Sequence, residues 1–409
     1  MIKFVRKNYV PLLVTLVVCM GTPIWPFWSI SEYIWTLGSL LLIYTFYTQG
    51  RFRTGFSGGL LIGILALIVF AVFIPFLKGG LHISYILYVA LFLVAFKLKP
   101  DESARAVNYI TTRLAIIVGI SLPLWFIQSY IYPILPVYNE LDIGVMKSGV
   151  TGQTVMSNYI FFVQHSDFID SAFRFYSMFD EPGVLGTLGA FVLFANKFDF
   201  KDKRNIVILV GCIFTFSFAF YVLAVMGYGY TLVISKNKSK IKIMLLAIIV
   251  LIPTFFFVRG LEAFDMLITY RFNSGLTTSL DNRSKDALSN AWENNKWKTM
   301  YFWLGDRVEA ERYNDNGSYK AFILHNGFLT LLSLILLYYN IVPRRRRNRD
   351  IFYFFIIFWL SFLQRPQVMS SLNILLYSSI AGCLYYDNKR DSEIRNQTKK
   401  KLYQCDYKT

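Results

Sequence analysis

Long apolar runs, repeated along the whole chain and separated by short basic links, constrain this sequence more than any other feature. Residues 58–77 read GGLLIGILALIVFAVFIPFL and residues 243–258 read IMLLAIIVLIPTFFFV. A helix needs roughly 20 apolar residues to cross a hydrocarbon core, and these runs meet or approach that length. A mean hydropathy of +0.44 and 38 Phe in 409 residues exclude an ordinary soluble domain. The expectation is an all-α polytopic membrane protein, one integral membrane domain over residues 1–409. The first apolar run follows Lys3, Arg6 and Lys7 with no small-residue cleavage site behind it, and reads as a retained helix.

Apolar periodicity places spans at 9–28, 32–48, 58–77, 81–96, 112–135, 182–196, 205–219, 220–235, 243–259, 322–341, 350–364 and 368–386. Basic residues of membrane proteins collect in cytoplasmic loops, which tests the arrangement. The links with Arg51 and Arg53, Lys97 to Arg105, Lys197 to Arg204, Lys236 to Lys242 and Arg344 to Arg347 all fall on one side. Both termini join them, including a basic cytoplasmic tail at 387–409. The segment 205–235 is short for two crossings, yet the basic links on either side of it require an even number. About twelve spans with both ends cytoplasmic satisfy every link. The net charge of +17 is accounted for by these links, so no nucleic-acid partner is needed. Cys19, Cys212, Cys383 and Cys405 fall in spans or in the tail, and neither a disulfide framework nor a metal site is implied.

Two loops face the other side: a smaller one at 136–181 and a large one at 260–321, where acids nearly balance bases. Loops on a rigid scaffold carry function, so the site is expected here. His82, His165 and His325 all land on this side. His325 lies just inside a span, where a polar residue is costly. It reads either as a general base or, with Asn326, as a helix-start pair bound to loop backbone. Asp180-Glu181-Pro182 is a natural helix start, while Glu181 is also a candidate catalytic or sugar-binding group. Arg174 has no capping rationale and sits where an anionic lipid head group would lie. Arg259, Arg271, Arg283, Arg307 and Arg312 supply forked cations suited to phosphate oxygens. Arg365, in the turn LQRPQ, is an interfacial anchor or part of the same cationic pocket. The stretch SLDNRSKDALSNAWENNKWKTM reads as an amphipathic helix with Ala287, Leu288, Ala291, Trp292 and Trp297 on or near one face. Such a helix lies on the membrane or roofs a cavity, and Trp292 offers a stacking surface for a sugar.

The order of these motifs resembles a family. Arg174 followed by Phe179-Asp180-Glu181-Pro182, Asn282-Arg283 followed by Trp292, Leu304-Gly305, and His325-Asn326 before the next span are similar to the O-antigen polymerase (Wzy) and O-antigen ligase superfamily. The motif resemblance covers roughly residues 170–340. It implies a metal-independent, GT-C-type glycosyltransferase of the bacterial inner membrane with no cofactor, acting at the periplasmic face on undecaprenyl-pyrophosphate-linked glycan. His325 matches the family's proposed base and Arg283 the arginine of the loop helix. The chain departs from the family at TFSFAF, where Phe218 stands in place of an arginine. The pyrophosphate cation would then come from Arg174, Arg271, Arg283 or Arg365.

With the residue readings above, the site assignment is His325, Arg283 and Glu181 as catalytic groups, and Arg174, Arg271, Arg365, Asn326 and Trp292 as substrate and pyrophosphate contacts; the resemblance itself matches His325 and Arg283. A polymerase would join O-antigen repeat units; the alternatives are a ligase transferring glycan to lipid A-core, or a lipid-linked oligosaccharide flippase. A flippase should carry charges within its spans, whereas this chain keeps them in loops. Membrane lipid and a chain-length regulator protein are the partners the resemblance implies.

Overall fold

A computed structural model describes residues 2–78, 83–142, 155–165, 174–235, 286–306, 318–342 and 348–406. Helix α1 is Ile2–Gly21, α2 Ser31–Thr48, α3 Gly58–Leu77, α4 Ile83–Lys97 and α5 Pro100–Ile131. Helices α6 (Pro182–Ala195), α7 (Lys203–Phe214) and α8 (Phe218–Ser235) follow. Then come α9 (Asp286–Asn295), α10 (Met300–Leu304), α11 (Tyr319–Asn326), α12 (Phe328–Asn340), α13 (Arg349–Phe362) and α14 (Ser371–Asp406).

Local chemistry sets many of the starts. Ser57 accepts from Leu60 N at α3, Asp202 from Arg204 N at α7, Ser318 from Ala321 N at α11 and Asn348 from Ile351 N at α13. Each satisfies a donor that the first helical turn leaves open. The Arg204 guanidinium beside Asp202 also holds that carboxyl below its ordinary pKa. Helix α5 begins well ahead of its expected span, because Pro100 suits a first turn and Asp101 and Glu102 face the positive helix end.

Every expected span but one falls on a helix; 243–259 lies outside the described residues. Among the described residues α3 and α5 are long and apolar enough to cross a membrane, and α11 with α12 would add a third crossing if that bent pair is one span. The short pair expected at 205–235 is present as α7 and α8, broken at Thr215 to Ser217 with Phe216 at φ 46°. One expectation is corrected: the run 322–341 is not one helix, since α11 and α12 meet at 105° across Gly327. Helix α14 runs unbroken from Ser371 to Asp406, on into the basic tail. The described fold is mostly helical, with one small sheet. Strands β1 (Asn139–Asp142), β2 (Val155–Asn158) and β3 (Val163–His165) form an antiparallel sheet in the smaller loop. Its inner residues Leu141, Met156 and Val163 pack with Trp28 and Tyr176 in a second small core. Strands of three or four residues are too short for their period-two alternation to show in sequence.

The main core is aromatic. Tyr338 of α12 is fully buried, with Phe92, Phe358, Trp359 and Tyr377 around it at centroid distances of 5.3, 4.8, 5.8 and 5.0 Å. Its hydroxyl donates to Val368 O, which satisfies the one polar atom such a site would otherwise strand.

Links gather at two ends of this bundle. At one end Arg51 forms a bidentate pair with Glu102 at 2.7 and 2.6 Å, and Lys97 Nζ donates to the carbonyls of Thr54 and Gly55. Asp350 accepts there from Tyr230 and Asn388. At the other end Trp25 N donates to Met178 O, Phe175 N donates to Phe214 O, and the loop helices α9 to α11 are seated.

Candidate functional site

The site is built at that second end. Glu181 takes the N-cap position of α6 with extended backbone, and Pro182 supplies the preset φ of the first turn. Its side chain does not cap the helix. Instead the carboxylate accepts from Arg365 Nη2 at 2.5 Å. Arg365 follows the end of α13, where its backbone N donates to Ser361 O at 2.8 Å. Only 10% of the Arg365 side chain is exposed, against 48% for Glu181.

Gly183 makes that seat possible, since a Cβ there would come within 2.5 Å of Arg365 Nη2. A guanidinium laid over the positive start of α6 is unfavourable alone, and the Glu181 carboxylate offsets both charges. The capping reading of Glu181 is thus half right: backbone in the cap position, side chain on a cation.

Arg365 lines a small cleft between α6, α13 and α14. Leu188 and Phe191 of α6, Phe358 of α13 and Leu372 and Leu376 of α14 make its apolar wall, while Thr22, Gln367 and Asn373 add polar groups. Thr187 Oγ1 is buried in the wall with no hydrogen-bond partner among the described residues. An apolar cleft with a few convergent polar groups is the usual form of a ligand site.

Arg174 lies half-buried at the break between α7 and α8, where its Nε donates to Thr215 O at 3.1 Å. A cation suits the carbonyl end of α7. The segment TFSFAF carries no arginine of its own, since Phe218 is buried there, but the fold brings Arg174 to the same break. Composition offers no signal for this, because the two positions are 41 residues apart.

His325 and Asn326 close α11, and the helix turns away at Gly327, so they sit at an elbow rather than inside a continuous span. His325 is half-buried. Asn326 Oδ1 accepts from Tyr85 OH at 2.6 Å, and its Nδ2 donates to Phe322 O at 3.1 Å. The ring of Phe322 meets Phe362 of α13 at 5.4 Å, three residues before Arg365. The elbow and the cationic cleft are therefore neighbours across one aromatic contact.

The amphipathic stretch forms α9, which buries Leu288, Ala291 and Trp292. Trp292 is 6% exposed and meets Phe302 and Tyr319 edge to face, so its ring packs into the core rather than standing open. Trp297 lies past the helix end, at φ 64° and 53% exposed, against Phe302 and Phe328. His165 pairs with Met156 in the sheet. Arg271, Arg283 and His82 lie outside the described residues. No family model, curated protein or solved structure matches this chain.

Proposed function

We propose that this chain is a GT-C-type glycosyltransferase that polymerises undecaprenyl-pyrophosphate-linked oligosaccharide repeat units, the O-antigen polymerase reaction. In this reading it has about twelve spans in the bacterial inner membrane, cytoplasmic termini and a periplasmic site. The observation that carries the reading is the apolar cleft lined by Arg365, one aromatic contact from the elbow that bears His325. A lipid-linked sugar phosphate needs an apolar surface for its chain, a cation for its pyrophosphate and a base near its sugar. In this reading all three requirements are met at one end of the bundle.

The acceptor hydroxyl attacks the anomeric carbon of the donor glycan, and the bond from that carbon to the pyrophosphate oxygen breaks. Undecaprenyl pyrophosphate leaves with the bonding electrons. Arg365 and Arg174, with Arg271 and Arg283 of the large loop, supply positive charge where the leaving group gains negative charge. Such electrostatic stabilisation usually contributes more to the rate than any other effect. His325 accepts the hydroxyl proton, a contribution of about 10²–10⁴-fold. Glu181 holds Arg365 in place and yields it as the phosphate arrives.

The test is the surface lipopolysaccharide pattern after deletion of the gene. Core bearing a single repeat unit, with the ladder lost, is the expected result. Bare core would make the chain a ligase or flippase, and an unchanged ladder would overturn the O-antigen assignment.

A further inference from the structure

The elbow at Gly327 is held by a second chain segment. Gly327 has φ 87° and ψ 148°, and Gly305, at the end of α10, has φ 73° and ψ 158°. This corner of backbone space is essentially open to glycine alone. The two glycines press against each other. A Cβ on Gly305 would lie 2.5 Å from Gly327 N and 2.7 Å from His325 O, and a Cβ on Gly327 would lie 2.5 Å from Leu304 C. Asp306 N donates to Leu324 O at 2.9 Å across the same crossing, and Phe302 stacks on Phe328 at 5.2 Å. The end of the large loop and the His325-bearing helix thus form one backbone-to-backbone joint.

The joint is gripped by the end of α3 and the start of α4. Lys78, just past α3, donates from Nζ to Gly305 O at 2.7 Å. Tyr85, in the first turns of α4, donates to Asn326 Oδ1 at 2.6 Å. One residue holds each side of the crossing, and each contact lies one residue or less from His325 or its touching partner. Tyr85 is itself seated by an aromatic row, with Tyr88 at 6.1 Å and Trp35 of α2 stacked on Tyr88 at 6.2 Å. Helix α3 widens into a π turn at Ile68–Phe73 before it reaches Lys78. Such turns displace the rest of a helix by one residue and are frequent at functional sites.

We propose that Lys78 and Tyr85 are positioning residues, which hold the Gly305–Gly327 joint in register and thereby fix His325 where it takes its proton. This rests on the polymerase reading for the chemistry at His325, but not for the joint itself. A base displaced by about 1 Å loses up to roughly 10²-fold in rate, so the contacts matter to turnover more than to binding.

The experiment uses the full chain in lipid nanodiscs, with Lys78→Met, Lys78→Arg and Tyr85→Phe variants. Hydrogen–deuterium exchange is read by peptide, and glycan chain growth is assayed on the same preparations. Loss of one hydrogen bond, roughly a fivefold effect, should speed exchange at 304–306 and 323–328 in Lys78→Met and Tyr85→Phe and leave α6 and α14 unchanged. Turnover should fall roughly tenfold with an unchanged KM, and Lys78→Arg should restore both readouts. Unchanged exchange at the joint overturns the proposal, as does faster exchange with full turnover. If the wild-type chain makes no polymer, the polymerase reading fails, while the exchange data still judge whether Lys78 and Tyr85 hold the joint.

Discussion

The two ends of the bundle handle charge in opposite ways. At the basic end the cations are many and are neutralised by nearby acids and carbonyls: Arg51 by Glu102, Arg204 by Asp202, Lys97 by the carbonyls of Thr54 and Gly55. At the other end helices break at Phe216 and at Gly327, and the Arg365–Glu181 pair borders an apolar cleft. The first arrangement satisfies its charges within the fold. The second keeps a cation beside space that an anion could enter, with only a half-exposed carboxylate in the way. The two kinds of charge look alike in composition and differ in what surrounds them.

Substitutions at the two ends should separate these roles. The largest effect is expected at the elbow and the cleft. His325→Ala should lower polymer formation by about 10²–10⁴-fold, and Arg365→Gln by about 10²–10³-fold, with membrane levels of the protein unchanged. Immunoblotting beside a chain-length gel checks both, and wild-type ladders from either variant would remove it from the site.

Arg51→Ala makes the opposite prediction. It removes the bidentate cation from Glu102, whose side chain is 9% exposed and still accepts from Lys99 N, and should cost about 3 kcal/mol of stability. Turnover per folded molecule should stay the same, which a melt in detergent and an assay normalised to folded protein would establish. Lost turnover without lost stability would erase the contrast between the ends.

Gly327→Ala is expected to cost about 1–3 kcal/mol from backbone strain alone, with turnover lost because the joint with Gly305 is forced apart. If thermal melting and chain growth both match wild type, the elbow is not built as described.

The smallest effect belongs to Asp202. Its carboxyl is held below the ordinary value of 3.8 in the fold, chiefly by the hydrogen bond from Arg204. The stability this gives is therefore present above that ordinary value and is lost as pH falls through the lowered one. Both partners are partly exposed, so the gain is expected to stay under about 1 kcal/mol. Melting of wild type and Asp202→Asn compared between pH 7 and pH 3 would show the gap closing only at the acid end.

Much of the fold was legible in sequence because its causes are local. Apolar length marks the helices, Pro182 marks one start, and basic links separate one end from the other. Parity of the basic links also called for the α7–α8 pair, although 205–235 is short for two helices. The elbow was not legible. A run such as AFILHNGFLTLLSLILLYYN reads as one span, since one Gly in an apolar helix is tolerated; only the Gly305 backbone pressed against Gly327 turns it through 105°.

The candidate site divides along the same line. His325, Asn326, Glu181, Arg174 and Arg365 stand out singly as polar residues at helix ends, where the cost of burying them asks for a reason. That Arg365 meets Glu181 across 184 residues of chain, or that Tyr85 holds Asn326 across 241, is not written in any local pattern. Sequence by itself determined which segments are helical, where polar groups interrupt them and how charge divides between the links. Tertiary structure alone decided which of those polar groups meet, because apolar periodicity fixes the face a helix buries but not the partner it buries it against. It also settled that Trp292 packs inward, for an amphipathic face looks the same in sequence whether it covers a core or opens to a sugar.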